Sequence, residues 1–268
     1  MGVGMQTESL PEKSSVLGIP ISPGGLGEIA TLLSGKPPKT SLMVTFVNPW
    51  ALAQVVKHPD YLTLLEAFDV VACDGIGMVR AAHTCGLKQL VRESFDFTSK
   101  ADSVFCWAAA NAITVGLVGG KPGVAERAGV MLRKKYPDLK VTGCYSGYET
   151  GPEDARETFR MQQTNLVICG MGTPLQERFL VELSTAGWHG AGFTCGGFFD
   201  QLNRGENYYP AWADHLNVRF LYRLAREPGR LWRRYLVDYQ VFLRAYGKLR
   251  WNRIKSGLSI RPPGGHPK

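Results

Sequence analysis

The stretch Ile113-Thr-Val-Gly-Leu-Val-Gly-Gly-Lys-Pro-Gly123 passes from an apolar, β-rich run through a glycine turn into the start of a helix. The same order recurs on either side of it. Apolar runs at 42–47, 69–73, 113–118, 139–144, 165–169 and 192–195 lack clean alternation, as expected of strands buried on both faces. Helical stretches at 99–112, 123–136, 152–163 and 175–186 lie between them. Strand, helix, strand repeated in this way predicts an α/β fold, a parallel sheet with helices on both faces. Nearly every strand ends in a small or polar cluster: Asn48-Pro49, Asp74-Gly75, Gly119-Gly120, Gly170-Met171-Gly172 and Gly196-Gly197. In such sheets the ligand crevice lies outside the carboxyl ends of the strands, so these clusters are expected to build the site.

Composition sets the outer limits. The chain has 268 residues, 44% hydrophobic and 20% charged, which describes a globular protein with enough apolar side chains for a core. Disorder, collagen-like repetition and a coiled coil are excluded as the main architecture. Net charge is +8, and the segment 219–255 alone holds 11 Lys/Arg against Glu227 and Asp238, leaving the rest of the chain at −1. Residues 1–14 read as a disordered N-terminus, 15–205 as the α/β body, 206–255 as a basic helical appendage and 256–268 as a disordered tail. The six cysteines show no C-x-x-C spacing and read as reduced, buried small hydrophobes. No basic-then-apolar leader opens the chain, and no apolar run reaches the roughly 20 residues of a spanning helix. The expectation is a cytoplasmic protein whose membrane contact, if any, is at the surface.

Winding 228–255 at about 100° per residue puts Trp232, Tyr235, Tyr239, Phe242, Tyr246 and Leu249 on one face. Arg230, Arg233, Arg234, Arg244 and Lys248 fall on the other. Such a helix either packs its aromatic stripe on the core or lies on anionic lipid with its basic residues at the headgroups. Off the membrane, the same aromatics offer a surface for homo-oligomers.

Several clusters could carry chemistry. Backbone N–H groups around Gly119, Gly120 and Lys121 suit a phosphate at a helix N-terminus. Asp74, beside Gly75 at a strand end, is either a general base or a helix N-cap. Arg92 and Asp96, four residues apart, are either a helix-surface pair or an anion site. Asn48-Pro49 could cap a helix. Gly172-Thr-Pro opens a helix whose first turn carries Gln176 and Glu177, expected to point toward the crevice. A dinucleotide fingerprint would need glycine where Val118 stands, which disfavours a nucleotide-dependent oxidoreductase. There is no Asp-x-Asp, the His and Cys residues form no ligand set, and no stacking platform accompanies the basic helix, so neither a metal nor a nucleic acid is expected.

Taken in order, these motifs resemble the WecG/TagA/CpsF family of bacterial glycosyltransferases from about Leu17 to Arg253. They are Asn48-Pro49, Phe68-Asp-Val-Val-Ala-Cys-Asp-Gly-Ile-Gly77, Arg92-x-x-x-Asp96, Gly119-Gly-Lys-Pro-Gly123 and Tyr136-Pro137, then Gly143-x-x-x-Gly147-Tyr148, Gly170-x-Gly-Thr-Pro-x-Gln-Glu177, Gly196-Gly-Phe-Phe-Asp200 and Tyr222-Arg-Leu-Ala-Arg-Glu-Pro-Gly-Arg-Leu-Trp-Arg-Arg-Tyr235. The resemblance implies a Rossmann-like body and an inverting, metal- and cofactor-independent transfer from a UDP-sugar to a polyprenyl-diphosphate-linked saccharide. The setting is cell-surface polysaccharide or exopolysaccharide synthesis at the inner face of the cytoplasmic membrane, which the appendage reaches. Asp74 would be the base, Asn48 a positioning residue and Arg92 a ligand of an anionic group. Gln176 and Asp200 would lie near the UDP, with Arg223, Arg230 and Arg233 closing over the diphosphate. Thr45, Gly75, Gly172 and Glu177 complete the expected substrate-binding set. The family pattern Thr-x-Asn is here Thr45-Phe46-Val47-Asn48, its Arg-Ala-Pro is Tyr208-Tyr209-Pro210, and its Glu-Trp is Arg219-Phe220. UDP-N-acetylmannosamine or its uronic acid is the usual donor in the family; these departures incline the reading toward UDP-glucose.

Overall fold

The computed structural model describes residues 11–29, 41–205, 208–210, 213 and 219–255, without the side chains of residues 28, 29 and 230. An antiparallel pair comes first, β1 (Ser14–Val16) and β2 (Ile19–Ile21), too short for the sequence pattern to announce. Ser14 already pairs with Ile21, so order begins just inside the span expected to be disordered. The rest of that expectation, for residues 1–10 and for 256–268, lies outside the described residues.

Six strands then pair in parallel: β3 (Leu42–Val47), β4 (Val70–Cys73), β5 (Thr114–Gly119), β6 (Lys140–Tyr145), β7 (Leu166–Gly170) and β8 (Ala191–Thr194). Their order across the sheet is β4-β3-β8-β7-β5-β6. Each lies within about a residue of its predicted run, and their unbroken apolarity has the expected cause. Val71 and Cys73 lie on the sheet face covered by α1 (Trp50–Lys57), α2 (Tyr61–Glu66), α3 (Ile76–Thr84), α6 (Gly151–Met161) and α7 (Leu175–Thr185). Val70 and Ala72 lie on the other face, covered by α4 (Ala101–Ala110), α5 (Val124–Lys135) and α8 (Phe198–Leu202). Both faces of the sheet are covered, so both alternating sets are apolar. At the carboxyl end, Gly119 (φ 146°) brings β5 against β7: a Cβ there would lie 2.5 Å from the backbone of Gly170.

The six cysteines are free, as expected. Only Cys73 and Cys169 are fully buried, and Cys106 is exposed, so burial was too broad an expectation. Among the described residues, no helix is long and apolar enough to cross a membrane.

Among the described residues, 219–255 form helices: α9 (Arg219–Arg226), α10 (Pro228–Arg233), a π-helical turn (Arg234–Asp238) and α11 (Tyr239–Lys255). The π turn, with its i→i+5 bonding, breaks the uniform winding assumed from sequence. Beyond it the aromatic stripe holds, with Phe242 buried and stacked on Tyr246. Before it the phase is wrong: Leu231 is buried, Trp232 is turned out, and Arg233 and Arg234 line the cavity described below. Phe242 seats the appendage against Gly77 of α3. A Cβ at Gly77 would come within 2.8 Å of Pro49 Cγ and 3.3 Å of the Phe242 ring.

The Pro49 ring is rigid, so Gly77→Ala is expected to destabilise by about 1–3 kcal/mol through overpacking, offset by roughly 1 kcal/mol of helix propensity. Urea unfolding checks this, and a variant more stable than the wild type would show that the contact yields.

Candidate active site

All the strand-end clusters converge on one cavity of about 950 Å³. Its floor is the carboxyl edge of the sheet with Asn48, Asp74, Gly75, Gly120, Lys121 and Gly172, and its far wall comes from the appendage through Arg223, Arg226, Arg233 and Arg234. Gln176 and Asp200 also line it. The sequence-expected residues Asn48, Asp74, Arg92, Gln176, Asp200, Arg223 and Arg233 are therefore brought together, though they span most of the chain. The side chain of Arg230 lies outside the described residues.

Asp74 follows β4 directly. The cap of α3 is Gly75 (φ 77°), with no side-chain capping bond, so Asp74 is not spent on the helix. Its carboxylate keeps 34% exposure where it lines the cavity, yet the surrounding protein is deep, and Arg92 Nη1 stands 4.0 Å from Oδ1. Burial pushes the Asp74 carboxyl above the usual carboxylate range; Arg92 pulls it back and Asp96 pushes it further.

The helix-surface pairing of Arg92 with Asp96 does not occur, because residues 91–100 form no helix. Asp96 Oδ1 accepts from the Thr98 backbone N–H at 2.9 Å and from Thr98 Oγ1 at 2.6 Å, while Ser99 Oγ accepts from the Ser94 N–H. Such local bonds compete with a helical ladder. Arg92 instead donates to Ser94 Oγ at 3.2 Å, and Ser94 Oγ donates to Asp96 Oδ2 at 2.8 Å. Arg219 closes the chain with an ion pair to Asp96 at 2.8 Å, a bond to Thr98 and a guanidinium 4.5 Å from the Tyr209 ring centre. Burial would lift Asp96, but Arg219, Thr98 and Ser94 hold it below the usual range. Two carboxylates on one wall are thus driven in opposite directions.

Thr45 and Glu177 do not line the cavity. Both are fully buried beneath it, Thr45 Oγ1 donating to Glu177 Oε1 at 3.0 Å and lying 2.8 Å from Thr194 Oγ1. Gln176 Nε2 also donates to Glu177 Oε1, at 3.0 Å, and Gln176 Oε1 accepts from the Gly196 N–H at 3.1 Å. Glu177 therefore braces the loops that end β7 and β8 rather than meeting a ligand. The strand period explains Thr45: one residue's displacement turns a side chain to the other face. Its hydroxyl points to α7, and Phe46 takes the wall, packed against Phe95 with ring centres 6.4 Å apart. Gly119 shapes the floor without lining it.

Residues that sequence reasoning missed are Trp50, Tyr209, Arg219 and Arg234, all on the cavity wall. Trp50 followed the Asn48-Pro49 motif immediately; Arg234 was hidden by the π turn. Among the described residues, no group of three or more His, Cys, Asp or Glu side chains could hold a metal ion. Chemically the cavity offers one raised carboxylate at its floor and a bank of guanidinium groups facing it.

Comparison with known proteins identifies the family. Residues 14–256 match the glycosyl transferase WecG/TagA/CpsF family, and the chain belongs to it. It is 30% identical over 219 residues, 81% of this chain and 89% of the relative, to the UDP-Gal:alpha-D-GlcNAc-diphosphoundecaprenol beta-1,4-galactosyltransferase of Shigella boydii. It is 25% identical to the N-acetylglucosaminyldiphosphoundecaprenol N-acetyl-beta-D-mannosaminyltransferase of Bacillus subtilis strain 168, over 74% of this chain and 76% of that one. An enzyme of the same description from Staphylococcus aureus strain MW2 is 23% identical, with 72% and 75% covered. The protein is a glycosyltransferase with a Rossmann-like body.

The ¹³C-carboxyl resonance of Asp74, assigned by its loss in Asp74→Asn, is expected to titrate above about pH 4, the ordinary carboxylate value. Because Arg92 is the main influence holding it down, Arg92→Gln moves that midpoint up again. A downward move would show that Arg92 does not act on this carboxyl.

Proposed function

We propose that this member of the WecG/TagA/CpsF family moves a hexose, with inversion, from a UDP-hexose to the sugar of a polyprenyl-diphosphate-linked saccharide. The observation that carries the reading is Asp74, a carboxylate raised by burial at the strand ends, set opposite the arginines of the appendage. In the transfer, the acceptor hydroxyl gives its proton to Asp74 as its oxygen attacks the anomeric carbon. The bond to UDP breaks on the opposite face and its electron pair leaves with the diphosphate. Arg223 and Arg233, with Lys121 and the N–H groups near Gly120, meet the charge that develops there, so side chains take the part a metal plays elsewhere. Asp96 is pinned by Arg219, so of the two carboxylates beside Arg92 it is Asp74 that takes the proton.

The relatives' names give N-acetylglucosamine on diphosphoundecaprenol as acceptor, and we assign the same class here. The donor is an uncharged UDP-hexose, glucose or galactose. Near Asp74 the wall is aromatic, through Phe46, Phe95 and Tyr209, and the guanidinium groups of Arg92 and Arg219 there face Asp74 and Asp96. An aromatic wall of this kind suits the C–H faces of an uncharged hexose. The protein works at the inner face of the cytoplasmic membrane, where such acceptors are held. The appendage supports this: Trp232, Leu236, Leu243, Trp251 and Ile254 are each about half or more exposed, interspersed with arginine and lysine. Anionic lipid is the surface such a pattern fits, and without lipid the same side chains favour self-association. Nucleic acid is not proposed, because Arg219, Arg223, Arg233 and Arg234 turn into the cavity rather than forming an outer basic strip.

Release of UDP from a panel of UDP-sugars, with a detergent-solubilised lipid-diphosphate N-acetylglucosamine acceptor and EDTA throughout, tests the assignment. Turnover is expected with UDP-glucose or UDP-galactose, and Asp74→Asn lowers it by roughly 10²–10⁴-fold while UDP still binds. Undiminished turnover in that variant removes Asp74 as the base; turnover only with a hexuronate donor overturns the sugar. Separately, flotation with vesicles containing phosphatidylglycerol should fall for Leu236→Ser/Trp251→Ser with UDP binding intact. Equal flotation of the variant would place the membrane contact elsewhere.

A further inference from the structure

Arg234 opens the π turn, and its guanidinium lies 4.2 Å from the centre of the Trp50 ring. Its Nη2 donates to Asn48 Oδ1 at 3.1 Å, and the same oxygen accepts from the Trp50 backbone N–H at 3.0 Å. Both partners can only donate, so the oxygen end of the Asn48 amide is fixed on this side and Nδ2 is the end left for the cavity. At the other end of the turn, Asp238 Oδ2 accepts from the Trp50 indole N–H at 2.9 Å, and Lys57 Nζ reaches Asp238 Oδ1 at 2.8 Å. One aromatic residue of the body is therefore held from its face and its edge by the two ends of a single turn of the appendage.

We infer that Arg234 is a positioning residue for Asn48: seating the π turn on Trp50 aims the Asn48 amide nitrogen at the reacting sugar. Site assembly and appendage docking are then one event. A π turn suits that task because it presents side chains at a phase that a regular helix cannot supply. The inference rests on the glycosyl-transfer reading of the cavity, and it differs from an arginine that binds diphosphate directly. That alternative has its own support, since Arg234 Nε is buried without an acceptor among the described residues.

A double-mutant cycle on the full-length protein separates the two. Arg234→Gln is expected to lower kcat by about 10–100-fold, the scale of a misplaced substrate-orienting group, with donor KM and UDP affinity unchanged. In an Asn48→Ala background the same substitution is expected to cost almost nothing further, because its target is gone. Arg234→Lys should recover little, since an ammonium cannot lie flat on Trp50 and donate sideways as a guanidinium does. Independent losses in the two backgrounds, or a raised UDP dissociation constant, overturn the positioning role. The side-chain amide resonances of Asn48, assigned through Asn48→Ala, provide a readout without turnover. They should shift in Arg234→Gln while the melting temperature holds. An amide that moves in Arg234→Gln, alongside a wild type that turns over no donor, would leave the contact standing and sink the transfer reading. Normal turnover with an unmoved amide would do the reverse.

Discussion

Six strands that run in one direction and are buried on both faces bring their carboxyl ends to one edge, and the rest of the molecule is arranged around that edge. Parallel pairing requires a crossover after every strand, so the chain leaves the same rim six times. Each departure puts a short polar segment beside its neighbours: Asn48 after β3, Asp74 after β4, Gly120 after β5, Gly147 after β6, Gly172 after β7 and Gly196 after β8. Where neighbours must approach closely the side chain is deleted, as at Gly119 against the Gly170 backbone. The floor of the site is a consequence of topology. Its roof is not, and has to be supplied by a segment from outside the sheet.

The floor was legible in the sequence and the roof only in part, for a physical reason. A strand buried on both faces announces itself as an unbroken apolar run, and the small residues ending it mark the rim. β3 spans the predicted 42–47. The appendage packs one face against the body and leaves the other to solvent, so its reading depended on a uniform helical phase. The π turn at Arg234–Asp238 broke that phase, and with it the assignment of Trp232 and Arg234. Arg92 and Asp96 show the opposite failure. Their spacing suits a helix, but serine and threonine hydroxyls captured the backbone locally. The bond from Thr45 to Glu177 joins residues 132 positions apart, and nothing in either local pattern marks that partnership.

The departures from the family pattern acquire a shared meaning in space. Tyr209 and Arg219, read from sequence as two unrelated changes, stack on one another, and Arg219 pairs with Asp96. The change at Phe46 joins the same wall through Phe95, which also touches Phe105, Phe193 and Phe198 of the core. The aromatic rings and the Arg219–Asp96 pair thus form one continuous wall of the cavity.

Asp74 and Asp96 lie on the same wall, and the difference in their surroundings determines which of them can take a proton. Asp96 accepts from Arg219, Thr98 and Ser94, all of which favour its charged form; it is a fixed anion that orders the arginine. Asp74 has Arg92 at 4.0 Å, close enough to moderate its charge and too far for a hydrogen bond. Had Arg92 been drawn in to bonding distance, the carboxylate would be a poorer base. Ser94 prevents this by holding the Arg92 guanidinium at 3.2 Å, and Ser94 is itself held by Asp96. The fixed carboxylate thus tunes the free one through a serine and an arginine, and Arg219, which enters from the appendage, completes the set.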